Sequence, residues 1–386
     1  MTAKTKNFGF YIGYVLFLIG QLLGHTMMPI SAQLRYVIIG VGVAFIFLQF
    51  LISLTQNQII RKKQFRFSKM GIFFVLLLVI SCISAIRSQE PIIILDFLFI
   101  LAAKDINFDK ILRIFIVTAS TLLIITIISN ALGLIGTAYF ERGAIVRHTF
   151  GYRFPTDFVQ LIVYILLADL VLCIEHNKPV FIRIGLYLFL GVFTLVYSDA
   201  RLGSGTIFLL VPAILFLKYL PNIASSKIIY IFEKYIFLFC TLFAVWLMNK
   251  FNSSSSNLMA IIDEITSYRL TNTDMGIKFF GYTVWGQQIY NTIDQYFKGW
   301  FYIDSSYYVF FLQYGIGLLI LVEIGYIYSM KRCIKLRNYI IPFVCLFIAL
   351  DSLIDQQFYL LEYNVFLLIP LASLSLKSNK DIKEVV

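Results

Sequence analysis

Between positions 141 and 153 the chain reads Glu141–Arg142–Gly143–Ala144–Ile145–Val146–Arg147–His148–Thr149–Phe150–Gly151–Tyr152–Arg153, three arginines in one short stretch. Two more stand apart, Arg201 in Ser198–Asp199–Ala200–Arg201 and Arg269 further on. A planar guanidinium grips a phosphate through two parallel hydrogen bonds, which an ammonium cannot do. Arg142, Arg147, Arg153, Arg201 and Arg269 therefore point to a ligand that carries pyrophosphate. Activating a sugar hydroxyl needs a carboxylate or imidazole within hydrogen-bond reach. Asp304, in Asp304–Ser305–Ser306–Tyr307, and Glu264 are the candidates for that work. Trp285, Trp300 and Tyr307 are candidates to stack on sugar rings. Each residue also has an ordinary structural role open to it. Arg142 can pair with Glu141, Arg201 with Asp199 and Arg269 with Glu264; Asp304 can cap a helix; and aromatic residues collect at the headgroup level of membranes.

These groups need a scaffold, and the composition says which kind. Of 386 residues 60% are hydrophobic and 14% charged, with a mean hydropathy of +0.84. Soluble chains carry about 25% charged residues. Apolar runs recur at 8–24, 36–54, 70–86, 91–103, 111–132, 158–174, 180–198, 202–219, 235–250, 305–329, 338–355 and 359–376. Most are long enough to cross roughly 30 Å of hydrocarbon as helices, and helices are required because lipid offers backbone groups no partner. The expectation is one all-α polytopic membrane domain over 1–386 with about twelve transmembrane helices. Phe8–Gly24 lacks a small-residue cleavage site and is expected to stay as a helix. The fourth run is short and contains Asp96, so charge must decide whether it crosses.

Basic residues collect on the cytoplasmic side of membrane proteins. With the N-terminus inside, 22 of the 32 basic residues fall on that side, including Arg61–Lys62–Lys63, Lys104, Lys110, Lys178, Arg183, Lys331, Arg332 and Arg337. The fourth run must cross to keep Lys104–Lys110 with the rest. This gives an N-in, C-in topology in a cytoplasmic membrane. The net charge of +11 is then a topology signal and argues against nucleic acid as a partner. Seven of the ten outward basic residues are arginine, against six of the 22 inside, which strengthens the phosphate reading.

Two outward segments are long, 133–157 and 251–304, and long loops in compact proteins are usually functional. In the second, Leu258, Ile261, Ile262, Ile265 and Tyr268 repeat at helical spacing, as in an amphipathic helix lying on a membrane surface. The five cysteines fall in spans or on the inner side and form neither a disulfide framework nor a metal cluster. Asp96, Asp169, Glu323 and Asp351 lie within apolar runs, where a transporter would keep a proton path. They are scattered, and no internal repeat supports duplicated transporter halves.

At this point the residues resemble a family: the Wzy-type polysaccharide polymerases, within the O-antigen ligase and polymerase group. Arg147–His148–Thr149–Phe150–Gly151–Tyr152–Arg153–Phe154–Pro155–Thr156 is similar to that family's arginine, aromatic–glycine and proline–polar stretch. Tyr197–Ser198–Asp199–Ala200–Arg201 is similar to its serine–arginine segment at an outer helix end. Ile303–Asp304–Ser305–Ser306–Tyr307–Tyr308, followed by Gln313–Tyr314–Gly315–Ile316, is similar to its aspartate–polar–serine–tyrosine lead into a late helix. The resemblance implies a GT-C-like fold and an inverting, metal-independent glycosyltransferase without cofactors. It implies a glycan donor on undecaprenyl pyrophosphate, a lipid-linked repeat unit as acceptor, membrane lipid around both, and flippase and chain-length regulator proteins as partners. The family's arginine–glycine spacing is not matched by Arg142 to Gly151 or Arg269 to Gly281. The later long loop has no histidine, unlike the ligase branch, which favours a polymerase over an O-antigen-ligase-like transferase. A glycolipid flippase is the other alternative.

Overall fold

A computed structural model describes residues 7–60, 69–253, 257–289 and 302–374. The chain is mostly helical (74%), and eight of the described helices are long and apolar enough to cross a membrane. Along the chain run α1 (Phe8–Leu22), α2 (Ala32–Ile60), α3 (Lys69–Ser88), α4 (Ile92–Ala102) and α5 (Phe108–Ala131). A hairpin follows, β1 (Tyr139–Arg142) with β2 (Ile145–His148). Next come α6 (Pro155–Glu175), α7 (Phe181–Ser198), α8 (Arg201–Tyr219), the single turn α9 (Pro221–Ala224) and α10 (Lys227–Ser253). The last helices are α11 (Asn257–Ile265), α12 (Arg269–Phe280), α13 (Ser306–Val309), α14 (Ile316–Lys335) and α15 (Ile340–Asp351).

Helix α6 is the axle of the bundle. It is apolar on every side, as a helix enclosed by others must be, and 94% of its span is buried. It packs on α5, α7, α8 and α15. Two of its polar residues, Asp157 and Gln160, are buried near its first turns, and this is where the charged groups gather. The α1–α2 pair packs closely because glycines face each other: a Cβ on Gly13 would lie 2.7 Å from the Gly42 carbonyl oxygen.

Two expected helices differ. The run 305–329 is broken into α13, a π turn at Phe310–Tyr314, and α14. Gly315 makes the break with φ +99°. The segment after α12 lies across it, so a Cβ on Gly315 would sit 2.5 Å from Val284 O and 2.7 Å from Gly286 N. That segment supplies the hydrogen bonds the break gives up: Thr283 N to Phe311 O at 3.0 Å, Gln287 N to Gln313 O at 2.9 Å, and Gln287 Nε2 to Leu312 O at 2.9 Å.

The run 359–376 is not a helix over its described part. It holds short 3-10 turns at Gln357–Tyr359 and Val365–Leu368, and it is buried, with Leu361, Tyr363, Val365, Phe366, Leu368 and Ile369 all at 0% exposure. Irregular backbone at membrane depth survives only inside protein, and side chains here do what a helix would. Asn364 Nδ2 donates to Phe358 O (2.6 Å) while its Oδ1 accepts from Phe366 N (3.2 Å). Arg332 Nη1 donates to Ile369 O and Pro370 O, both at 3.2 Å. The far end pairs with the α4–α5 connection through Ser373 N to Ile106 O at 2.7 Å and Phe108 N to Ser373 O at 2.9 Å.

Helix α15 has 12 residues, about 18 Å at 1.5 Å per residue. It stops short of a full crossing, so Asp351 and the turn beyond it come to rest inside the bundle, with Asp351 at 5% and Asp355 at 4% exposure. Helix α11 carries the expected stripe in part: Leu258, Ile261 and Ile265 are 51–61% exposed and turn away from the protein, as Tyr268 does beyond its end, whereas Ile262 packs against the core.

Candidate functional site

The β1–β2 hairpin and the α7–α8 turn are built onto one another. Ser198 Oγ donates to His148 O at 3.0 Å, and Arg147 Nε donates to Ser198 O at 2.9 Å. Asp199 ends α7 in the left-handed region, φ +41°, a conformation Asp tolerates. This turns its buried carboxylate toward the arginines. Arg201 Nε donates to Asp199 Oδ1 at 2.9 Å, and Arg142 Nη1 to Asp199 Oδ2 at 3.2 Å. One carboxylate thus orients two guanidiniums. The Arg201–Asp199 pair is the one expected locally; Arg142 pairs with Asp199 instead of its neighbour Glu141.

Arg269 reaches the same place from α12. Asp263 secures the start of that helix, accepting from Leu270 N (2.9 Å), Thr271 N (3.1 Å) and Thr271 Oγ1 (2.5 Å), which satisfies first-turn donors as a capping residue does. Arg269 is not paired with Glu264. It lies between two other carboxylates: Nε is 3.3 Å from Asp304 Oδ2, and Nη1 is 3.4 Å from Asp355 Oδ1. Gln160 on α6 donates to Asp355 Oδ2 at 2.5 Å and approaches Asp351 Oδ1 at 3.4 Å; Thr206 Oγ1 also donates to Asp351 Oδ1, at 3.2 Å.

Between these groups is a small, partly open cleft. Arg142, Arg147, Arg201 and Arg269 line it together with Gln160, Ser267 and Asp355. Arg147 is the member without a carboxylate partner among the described residues. Its Nη2 is buried and makes no hydrogen bond. Burial, then the charge of Arg142, with Arg269 and Arg201 adding to it and Asp199 opposing, lowers its guanidinium to about 10. For Arg269 burial also acts downward, but Asp355, Asp304 and Asp351 outweigh it and the guanidinium is raised. The Asp304 carboxyl is raised by burial, with Arg269 and Arg147 pulling the other way. The cleft thus gathers four guanidiniums, three of them held by carboxylates and Arg147 by a backbone oxygen.

Four of the five arginines proposed from sequence meet here; Arg153 does not. It is exposed, and its backbone N–H donates to His25 O at 2.9 Å. Asp304 stands behind Arg269, and the residue at the N-cap of α13 is Ser305. Glu264 is exposed on α11 and is not a wall of the cleft. Trp285 sits on the segment laid over α13–α14, against Gly317, also away from the cleft. Trp300 lies outside the described residues. Tyr307 is fully buried and its hydroxyl donates to Ala349 O at 3.0 Å; it packs the core and presents nothing to a sugar. Asp157, another acid near the start of α6, faces His25 at 3.4 Å.

Sequence reasoning missed Gln160 and Asp355 and took Asp351 only as one of several scattered acids. A signal was present. Asp351 and Asp355 are four residues apart at the end of an apolar run, the spacing that puts two side chains on one side, and Gln160 is a polar residue early in a long apolar helix. Among the described residues no group of three or more His, Cys, Asp or Glu side chains is disposed to hold a metal ion. No family model, curated protein or solved structure matches this chain.

Proposed function

We propose that the protein is a glycan polymerase of the cytoplasmic membrane, with the arginine cleft on the outer face. Its donor is a glycan on a polyprenyl diphosphate such as undecaprenyl pyrophosphate. Its acceptor is a second lipid-linked repeat unit, with flippase and chain-length regulator proteins acting before and beside it. The observation that carries this reading is Arg147: a half-buried guanidinium amid three others, with an unpartnered Nη2 and no carboxylate of its own. A site that maintains such a charge is suited to a multiply charged anion. The positive-inside distribution of lysine supports the outward placement, and the apolar stripe of α11 suits a helix at the lipid surface.

Transfer needs no covalent intermediate. The acceptor oxygen attacks the anomeric carbon as the bond to diphosphate breaks, so negative charge grows on the departing phosphate. Guanidiniums fixed beforehand by Asp199, Ser198 and Asp304 stabilise that charge more in the transition state than in the ground state. Attack opposite the leaving group inverts the anomeric centre. The test is the polymer ladder in cells whose own copy is replaced by Arg147→Ala or Arg201→Ala. Ladder yield is expected to fall roughly 10²–10³-fold, with single lipid-linked units accumulating on the outer face. Normal ladders at normal protein level refute the proposal. Units trapped on the inner face point to a flippase, and full polymers left on the carrier point to a ligase.

A further inference from the structure

We propose that Asp355 is the catalytic base that takes the proton from the acceptor's hydroxyl, which makes its side of the cleft the acceptor side. The inference rests on the donor reading above. Of the residues lining the cleft, four are arginine and a single one, Asp355, is a carboxylate. Asp199 and Asp304 are engaged behind the guanidiniums, and Asp351 accepts from Gln160 and Thr206.

Asp355 is fixed as a base should be. Ser306 N and Oγ donate to its carbonyl oxygen at 3.2 and 2.6 Å, and its own N–H donates to Asp351 O at 2.9 Å. Gln160 Nε2 holds Oδ2 at 2.5 Å and Arg269 Nη1 stands 3.4 Å from Oδ1. Each carboxylate oxygen offers two acceptor positions, so one remains on each for an incoming hydroxyl, and the rotamer is set before substrate arrives. Gln160 is a positioning residue. The two-sided seat of Arg269 also has a purpose here. When Asp355 takes up a proton, Arg269 keeps Asp304 as its counter-ion, so the step leaves no unpaired buried cation.

The step balances. The acceptor O–H proton passes to Asp355, and the acceptor oxygen forms the new bond to the anomeric carbon. The anomeric carbon–phosphate oxygen bond breaks with its electron pair going to the diphosphate under Arg142, Arg147 and Arg201. Asp355 then returns its proton to water in the open cleft.

Two readouts separate this role from simple anchoring of Arg269: ladder yield in cells, and protection of the purified full chain against thermal unfolding by inorganic pyrophosphate. Asp355→Asn is expected to lower ladder yield about 10²-fold or more while pyrophosphate protects it as it does the wild type. A normal ladder overturns the assignment, and so does loss of ladder and pyrophosphate protection together. If Asp355→Asn does not accumulate, Asp355→Glu decides, because it keeps the charge beside Arg269 and only displaces the carboxylate. A misplacement of about 1 Å costs up to 10²-fold, so ladder yield should drop at least about tenfold with protection unchanged; wild-type yield overturns the proposal. Arg147→Ala tests the underlying reading separately: retention of both ladder and protection removes the donor site, whatever Asp355 variants do.

Discussion

Replacing Arg147 with methionine should damage ligand binding and leave stability nearly intact, a combination that separates a binding charge from a structural one. In the folded chain Arg147 is a cation near three others, and its guanidinium is lowered to about 10. A base held below its ordinary value opposes folding in full below its folded pKa, and that penalty fades as pH rises from the folded to the unfolded value. A displacement of that size is worth about 3 kcal/mol against folding, and partial exposure reduces it to roughly 1–2 kcal/mol. Against this stands the 2.9 Å bond from Nε to Ser198 O, worth roughly 1.5–3 kcal/mol for a charged donor. Methionine covers the same apolar stem, so the two effects nearly cancel and stability should stay within about 1 kcal/mol. Losing a charged contact to phosphate should weaken pyrophosphate binding about tenfold to a hundredfold, since every 1.4 kcal/mol is tenfold. Both quantities come from thermal unfolding of the purified chain titrated with pyrophosphate. A variant that loses more than about 3 kcal/mol of stability but binds pyrophosphate as before would show that Arg147 holds the hairpin and not a ligand.

Other outcomes follow from the same geometry. Because the Asp304 carboxyl is raised, the folded chain binds its proton more tightly than the unfolded chain; the stability it contributes is present at low pH and lost as pH rises through the folded pKa. As pH rises above the ordinary aspartate value of about 4, the stability of wild type relative to Asp304→Asn should therefore shift in the variant's favour, and a shift the other way contradicts the assigned burial. Gly315→Ala places a Cβ 2.5 Å from Val284 O at φ +99° and should cost about 1–3 kcal/mol or more, with proteolysis first appearing near 281–289. Tyr307→Phe removes the hydroxyl bonded to Ala349 O and should cost about 1 kcal/mol with an unchanged ladder; a lost ladder would return Tyr307 to the site.

The membrane architecture was legible because it depends on composition and run length, which are properties of the chain in order. Eight long apolar helices fall where the runs are. The two failures share a cause. Over 305–329 and 359–376 the residues are largely apolar, and apolarity reports burial without specifying backbone shape. Gly315 bends because residues 283–287 pass over it. The stretch after Tyr359 forgoes a helix because Asn364, Arg332 and the α4–α5 connection satisfy its backbone from elsewhere in the chain.

The site divides in the same way. Sequence by itself selected Arg142, Arg147, Arg201 and Arg269, since guanidinium chemistry is written in residue type. It also fixed the turn that pairs Arg201 with Asp199, two residues apart. Only the tertiary structure decided which acid meets which arginine. Asp355 lies 86 positions from Arg269 and 195 from Gln160, and local spacing holds no information about contacts closed over such distances. It decided as well that Arg153 and Glu264 stay outside the cleft and that Tyr307 turns into the core. The short α15 brings Asp351, and Asp355 just beyond its end, to rest beside Gln160 at the buried start of α6.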